Sequence, residues 1–395
     1  LETGVEDFDW KIRVGWDLRK SVLDGSSGVM AGSLTIMGSA VMDTKIDASS
    51  DTAGAALILK NLSVPVTIRH LKITGGKIGN NASGAGIYIG NCLEGVTLGE
   101  GCEVSGNTAL IDSSISSGSV CGIGIYVGTA SLTLTDNAKV TNNNIDSSET
   151  QFSNHVYYGG GIYADGSTVT LSGNAAVTGN GSSDSYGKGI HLRGNGNGEE
   201  KLFLKDSAKV DEIYLDGGNG YEGAPSYLPK INVSGIASDS VKICGRPLGF
   251  VSDYMLLTGD GVSSNYTKFA VTGLFKIGID GKLAYKANED ISISDMEAIS
   301  NAAWTTTSET KTFDDLLGKR ILFKINSTKW SIYENIRKTA SNWLKVDKYS
   351  WDADWNSEAS YSTETGSSLT VSSSVDITCS GDNLNIPNLE HIIMN

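Results

Sequence analysis

Apolar and polar residues alternate along most of this chain in runs of three or four, and the runs return in a fixed arrangement. The clearest copies are GIYIGNCLEGVTLGEGCEVSGN at Gly86 to Asn107, GIYVGTASLTLTDNAKVTNN at Gly124 to Asn143, and GIYADGSTVTLSGNAAVTGN at Gly161 to Asn180. A stretched fourth copy begins GIHLRG at Gly189 and continues LFLKDSAKVDE from Leu202. In all four, an apolar pair stands six residues apart: Leu98/Val104, Leu134/Val140, Leu171/Val177 and Leu204/Val210. Period-two alternation in short runs, punctuated by Gly, Asn and Asp, is the pattern of strands joined by tight turns. A self-similar unit that cannot bury its apolar face alone must stack on its neighbours.

The spacing therefore predicts an all-β chain built around a right-handed parallel β-helix, a solenoid in which each strand pairs with its counterpart about 4.8 Å above. Ile87, Ile125, Ile162 and Ile190 form one inward ladder, and the residues after them point outward. Weaker copies start at Gly32 and Ser63, and short strands follow at Ile213–Leu215, Ile231–Val233, Val241–Cys244, Tyr254–Leu257 and Leu274–Ile279. The coil is placed at 34–287, after an N-terminal cap segment at 1–33.

The composition changes from Asn288. Five of the seven tryptophans lie beyond it (Trp304, Trp330, Trp343, Trp351 and Trp355), and Ser294–Ala303 and Ile332–Trp343 read as amphipathic helices. In SSLTVSSSVDITCSGDNLNI, Val371 and Ile377 are again six apart. The segment 288–395 is thus expected to be an α+β cap or the capped start of a second coil.

The register also sorts individual residues. Cys102 shares a small-residue slot with Ala138, Ala175 and Ala208, which makes it a buried thiol. Asn107, Asn143 and Asn180 align at one turn, where stacked asparagines tolerate left-handed backbone and bond along the stack. Asp165 meets Arg193, and Glu103 meets Lys139, as exposed ion pairs worth under about 1 kcal/mol.

Glycine is abundant (48), proline rare (5) and charged residues few (19%), as many tight turns require. The net charge of −14 repels phosphate backbones and lowers the case for nucleic acid or an anionic membrane as partner. No run of eighteen apolar residues marks a membrane-spanning segment. Five cysteines without C-x-x-C spacing leave at least one unpaired and argue against zinc.

The pattern GGGIY, STVTLSGN, VTGN of Gly159 to Asn180 resembles the pectin-lyase-like right-handed β-helix repeats of bacterial secreted and surface proteins. The resemblance implies that fold and an extracellular or cell-surface setting. It leaves function open, because such coils carry lyases, hydrolases and adhesins alike.

Two surfaces draw attention. From the valine slot to the next isoleucine slot, the numbering differences are 21 (Val104 to Ile125), 22 (Val140 to Ile162), 13 (Val177 to Ile190) and 3 (Val210 to Ile213). The two long links should stand as one projecting wall, the kind of scaffolded loop where binding resides. Beside it Tyr88, Tyr126, Tyr163 and His191, with Tyr214, form an outward aromatic stripe able to stack on sugar rings.

Catalytic candidates are thin. His155, Asp165, His191 and Arg193 are the only ones near the wall, and no nucleophile motif, phosphate loop or HExxH accompanies them. A lyase would use calcium, but Asp206, Asp211, Glu212 and Asp216 lack the D-x-D-x-D spacing of a calcium loop. No cofactor and no metal site are therefore expected, with calcium left open as a ligand that no motif supports. The leading expectation is a non-catalytic adhesin-like module that binds carbohydrate or a host or cell-surface protein. The alternatives are a polysaccharide lyase or glycoside hydrolase acting beside the long loops, and a structural stalk module of a longer repeat protein.

Overall fold

The computed structural model describes residues 9–13, 21–26 and 32–285, with breaks at 41–43, 52, 80, 111–117, 147–154, 182–184, 196–197, 218–227, 246–252 and 272–274. Past 285, and at 9–13, it describes only strand backbones. The chain divides into two compact units, one made of Leu1–Gly249, Tyr254–Val271 and Ile277–Lys282, the other of Phe250–Asp253, Thr272–Lys276 and Leu283–Asn395.

The first unit is a right-handed parallel β-helix. Nine strands form a leucine sheet: Asp9–Arg13, Ser33–Met37, Val66–Arg69, Val96–Leu98, Ser131–Leu134, Thr168–Leu171, Glu200–Leu204, Lys230–Val233 and Leu257–Thr258. Nine more form an isoleucine sheet: Ser21–Asp24, Leu57–Lys60, Ile87–Gly90, Ile125–Gly128, Ile162–Asp165, Ile190–Arg193, Glu212–Asp216, Val241–Gly245 and Phe269–Val271. A six-stranded valine sheet from Lys45–Asp47 to Lys209–Val210 closes the coil. Pairing is parallel and in register, so that Ile87, Ile125, Ile162, Ile190 and Ile213 stack, as do Leu98, Leu134, Leu171 and Leu204. All of these side chains are buried. At roughly 25 cal/mol per Å² of apolar surface, such ladders supply the main driving force of the coil.

The turn after the valine sheet holds its polar groups inside. Asn107, Asn143 and Asn180 are buried. The Asn107 Nδ2 group donates to Asn143 Oδ1 at 2.8 Å, and that of Asn143 to Asn180 Oδ1 at 2.9 Å. Each also donates to a carbonyl one coil below, Ile73 for Asn107, Val104 for Asn143 and Val140 for Asn180. Their Oδ1 atoms accept from the Gly76, Asn107 and Asn143 backbone N–H groups. On the fourth coil, where the link shrinks to three residues, Asp211 accepts from the Gly179 and Glu212 N–H groups.

The links that the sequence left as loops carry strands. Gly118–Cys121, His155–Tyr158 and Ser185–Tyr186 pair in parallel as a flanking sheet. Val120 and Tyr157 on this sheet pack with Ile78, Ala85, Ala109 and Ile123 in a satellite core. Residues 111–117 and 147–154 of the expected wall lie outside the described set.

Four expectations change. The segment 1–33 is more than a cap, because Asp9–Arg13 and Ser21–Asp24 are already rungs of the leucine and isoleucine sheets. Glu103 and Lys139 are register neighbours, but the Glu103 carboxylate sits 3.1 Å from Lys72 on the other side. The helix expected at Ile332–Trp343 is replaced over its first part by the strand Trp330–Lys338. That strand lies in an antiparallel sheet with Ile321–Lys324, Leu344–Trp351 and Glu358–Glu364. Trp330, Ile332 and Ile336 satisfy a period of two as well as a helical spacing, and the pairing of neighbouring strands decides between them. The second coil start is a hairpin: Ser368–Val371 runs antiparallel to Val375–Ser380, with Val371 opposite Val375. A six-residue spacing marks a coil corner only when the strands around it pair in parallel with another coil. Of Ser294–Ala303, only Ala303 is described, at the start of the strand Ala303–Thr305.

Candidate functional site

The aromatic stripe forms as a continuous ladder on the outer face of the isoleucine sheet. Ring centroids are 5.1 Å apart for Tyr88–Tyr126, 5.8 Å for Tyr126–Tyr163, 4.9 Å for Tyr163–His191 and 4.8 Å for His191–Tyr214. Interplanar angles of 11° to 20° make three of these offset stacks, with Tyr163–His191 tilted at 30°, and aromatic pairs of this kind are worth about 0.5–1.5 kcal/mol beyond area burial.

The ladder has two zones. Tyr158 and Tyr186, on the flanking sheet, cover its upper part: Tyr158 meets the edge of His191 at 5.1 Å and Tyr186 the edge of Tyr214 at 5.3 Å. Tyr163, His191 and Tyr214 are consequently buried, whereas Tyr88 and Tyr126 remain half-buried. The strand-to-strand step that brings the cover down needs glycine. Gly84, Gly122, Gly159 and Gly187 have φ between +66° and +73°, three residues before their isoleucines. A Cβ on Gly122 or Gly159 would stand 2.2 or 2.3 Å from a backbone oxygen.

The charged candidates meet one another. Asp165, Arg193 and Asp216 occupy one slot on three successive rungs. The Arg193 guanidinium lies 3.3 Å from Asp165 Oδ1, and the Tyr126 hydroxyl donates to Asp165 Oδ2 at 3.5 Å. His191 is fully buried. Its Nδ1 lies 3.3 Å from the Tyr186 carbonyl oxygen and its Nε2 3.7 Å from Asp216 Oδ2. Burial holds its imidazole below the ordinary histidine value, against the opposing pull of Asp216. Burial and the Asp165 charge push Tyr126 up to about 12 and Cys121 up to about 11. His155 begins the strand His155–Tyr158, and its side chain lies outside the described set.

His191 is not placed to exchange a proton with a bound molecule. A general acid or base must reach its substrate at roughly 2.6–3.2 Å, and His191 has no exposed surface from which to do so. The acidic residues downstream serve the backbone: Asp206 accepts from the Gly173 N–H and Glu212 from the Lys188 N–H. Among the described residues, no three His, Cys, Asp or Glu side chains converge as metal ligands, and no helix is long and apolar enough to cross a membrane.

Sequence reasoning missed Cys121, Tyr158 and Tyr186. The signal was present: VCGIGI, YYGGGI and SYGKGI align once the repeat is extended upstream of the isoleucine slot. Comparison of the chain with protein-family models, curated proteins and solved structures finds no match.

Proposed function

We propose that the coil is a non-catalytic binding module of a secreted or cell-surface protein of the bacterial, pectin-lyase-like type, and that it holds carbohydrate in an adhesive role. One observation carries this reading: the aromatic ladder is half-exposed at Tyr88 and Tyr126, while among the described residues Asp165 pairs with Arg193 and His191 is fully buried. Half-buried tyrosines offer ring edges and polar tips to the apolar patches and hydroxyls of a sugar.

The test pairs two assays on the whole chain. Incubation with a panel of uronic-acid and neutral polysaccharides should yield neither unsaturated, ultraviolet-absorbing ends nor new reducing ends. Affinity gel electrophoresis against the same panel should show retardation, weakened at least about tenfold when Tyr88 and Tyr126 are both changed to Ala, since each lost stack is worth about a kcal/mol. Sustained cleavage would overturn the reading in favour of a lyase or hydrolase.

A further inference from the structure

Two residues past the aromatic slot, the rungs of Tyr88 and Tyr126 carry Gly90 and Gly128. A Cβ on Gly90 would stand 2.8 Å from Tyr88 Cε1, and one on Gly128 would stand 2.9 Å from the Tyr126 hydroxyl. Each ring lies back along its own strand over a position where only glycine leaves room, so the two rings are held in one attitude. They form the closest tyrosine pair among the described residues, with centroids 5.1 Å apart and planes 11° from parallel. Both rings are half-buried and so remain within reach of a reagent in solution.

Tyr126 also has a base at its hydroxyl. Asp165 Oδ2 accepts its hydrogen bond at 3.5 Å, while Asp165 Oδ1 faces Arg193 at 3.3 Å. The Asp165 side chain is 37% exposed, which lets a proton passed to it go on to water. Burial and the Asp165 charge push the Tyr126 phenol up to about 12, so near pH 7 the ring is neutral, and an electron can leave it readily only if the proton leaves too. Tyr163, the other neighbour of Tyr126 at 5.8 Å, differs in both respects. It is buried, and its hydroxyl faces the Arg193 guanidinium, which donates and cannot accept.

We propose that Tyr88 and Tyr126 are a site of oxidative cross-linking, joined as dityrosine by a peroxidase-class one-electron oxidant with hydrogen peroxide, and that Asp165 is the proton acceptor of Tyr126. The first oxidation takes one electron and the phenolic proton of Tyr126, the proton going to Asp165. The second takes one electron and the phenolic proton of Tyr88, the proton going to water. The two radicals form a carbon–carbon bond between ring positions ortho to the hydroxyls, and the two ring hydrogens there move to the oxygens as aromaticity returns. The two electrons and two protons reduce one peroxide to two waters. The bond staples the strand Ile87–Gly90 to Ile125–Gly128 and closes the intervening chain into a loop, a constraint that acts chiefly on the unfolded state. The inference does not depend on sugar binding.

The test treats the whole chain, dilute enough to stay single, with a haem peroxidase and hydrogen peroxide, and measures dityrosine fluorescence in the monomer isolated by size exclusion. Glu94, Glu100 and Glu103 lie between the two tyrosines. Digestion at glutamate followed by mass spectrometry should therefore find their two fragments joined, with the loss of two hydrogens. Tyr88→Phe and Tyr126→Phe, which keep a ring on each rung, should each lower the dityrosine of the monomer at least about fivefold. Tyr158→Phe, from the stack with exposed Tyr186 at 5.8 Å, should leave it within about twofold. Asp165→Asn should slow formation at least about threefold near pH 7, and the gap to the parent should close as the pH rises toward about 10, where hydroxide and phenolate take over the work of the carboxylate. No dityrosine in the monomer, a link mapped to other tyrosines, or a yield that neither Tyr88→Phe nor Tyr126→Phe lowers would overturn the site. An Asp165→Asn protein that reacts at the parent's rate, or slower by a ratio that pH leaves unchanged, would overturn the role of Asp165.

Discussion

At the scale of single residues, the coil distinguishes polar groups that stabilise it from those poised to unsettle it. The buried asparagines give every Nδ2 and Oδ1 a partner, so they carry none of the roughly 1–3 kcal/mol penalty of an unmet buried polar atom. His191 differs, because its ring is buried between Tyr163 and Tyr214 and burial keeps it neutral. With the folded value depressed, the unfolded chain takes up a proton that the folded chain refuses. The stability tied to the neutral ring is whole above the unfolded value of about 6.5 and is lost as the pH falls below it, until the folded ring protonates too. Denaturant unfolding followed from about pH 7.5 to about pH 5 should show a loss approaching 1.4 kcal/mol per unit at its steepest. His191→Phe, which keeps a ring in the ladder, should remove that share of the slope. Equal slopes for the two proteins would show that protonation of His191 is not what weakens the fold in acid.

At the scale of elements, the parallel rungs were legible in the sequence and the flanking sheet was not. The Leu/Val pair repeats because both residues face one core at a fixed corner, so that side-chain period, corner and register appear together in the letters. The strands at Gly118–Cys121, His155–Tyr158 and Ser185–Tyr186 follow links of unequal length, which hid their alignment, and their covering role depends on a partner sheet that no local pattern displays. The stripe Tyr88, Tyr126, Tyr163, His191 and Tyr214 was likewise readable as a column, whereas the burial of its upper half was not. Beyond Asn288 the local pattern misled, since Ile332 and Ile336 fit two periods and the hairpin at Ser368–Ser380 imitates a coil corner. A prediction belongs to the glycines that bring down the flanking strands. Gly159→Ala puts a side chain on a residue at φ +66° and 2.3 Å from the Ile162 carbonyl oxygen. It should cost about 2 kcal/mol or more and reduce the near-ultraviolet dichroism of the tyrosine ladder. Gly99→Ala, whose nearest contact would be an ordinary 3.8 Å, should stay within about 0.5 kcal/mol of the parent. A Gly159→Ala protein as stable as Gly99→Ala would mean that the flanking sheet does not depend on this turn.

At the scale of the whole molecule, the strands of each described coil pair with those of the coils directly above and below, so stability propagates mainly along one dimension. The ladders make this concrete: Leu134 pairs in register with Leu98 beneath and Leu171 above, and all three are buried. Removing the Leu134 side chain therefore weakens two interfaces at once. Leu134→Ala should cost roughly 2–5 kcal/mol, the range for a leucine lost from a close-packed core. The distribution of that loss is the more informative quantity. In a linear stack, a lesion in the middle lowers the free energy of opening nearby, so amide exchange should accelerate first over the rungs Val96–Leu98, Ser131–Leu134 and Thr168–Leu171. The rungs Ser33–Met37 and Val241–Gly245, several coils away in either direction, should keep most of their protection. Acceleration spread evenly over every rung would instead mean that the coil opens only as a single block. In that case the aromatic ladder at Tyr88 and Tyr126 would draw its rigidity from the entire stack. Under the linear behaviour expected here, it depends chiefly on the coils beside it, and a lesion at Leu134, in the coil that carries Tyr126, should loosen that part of the ladder before it unfolds the chain.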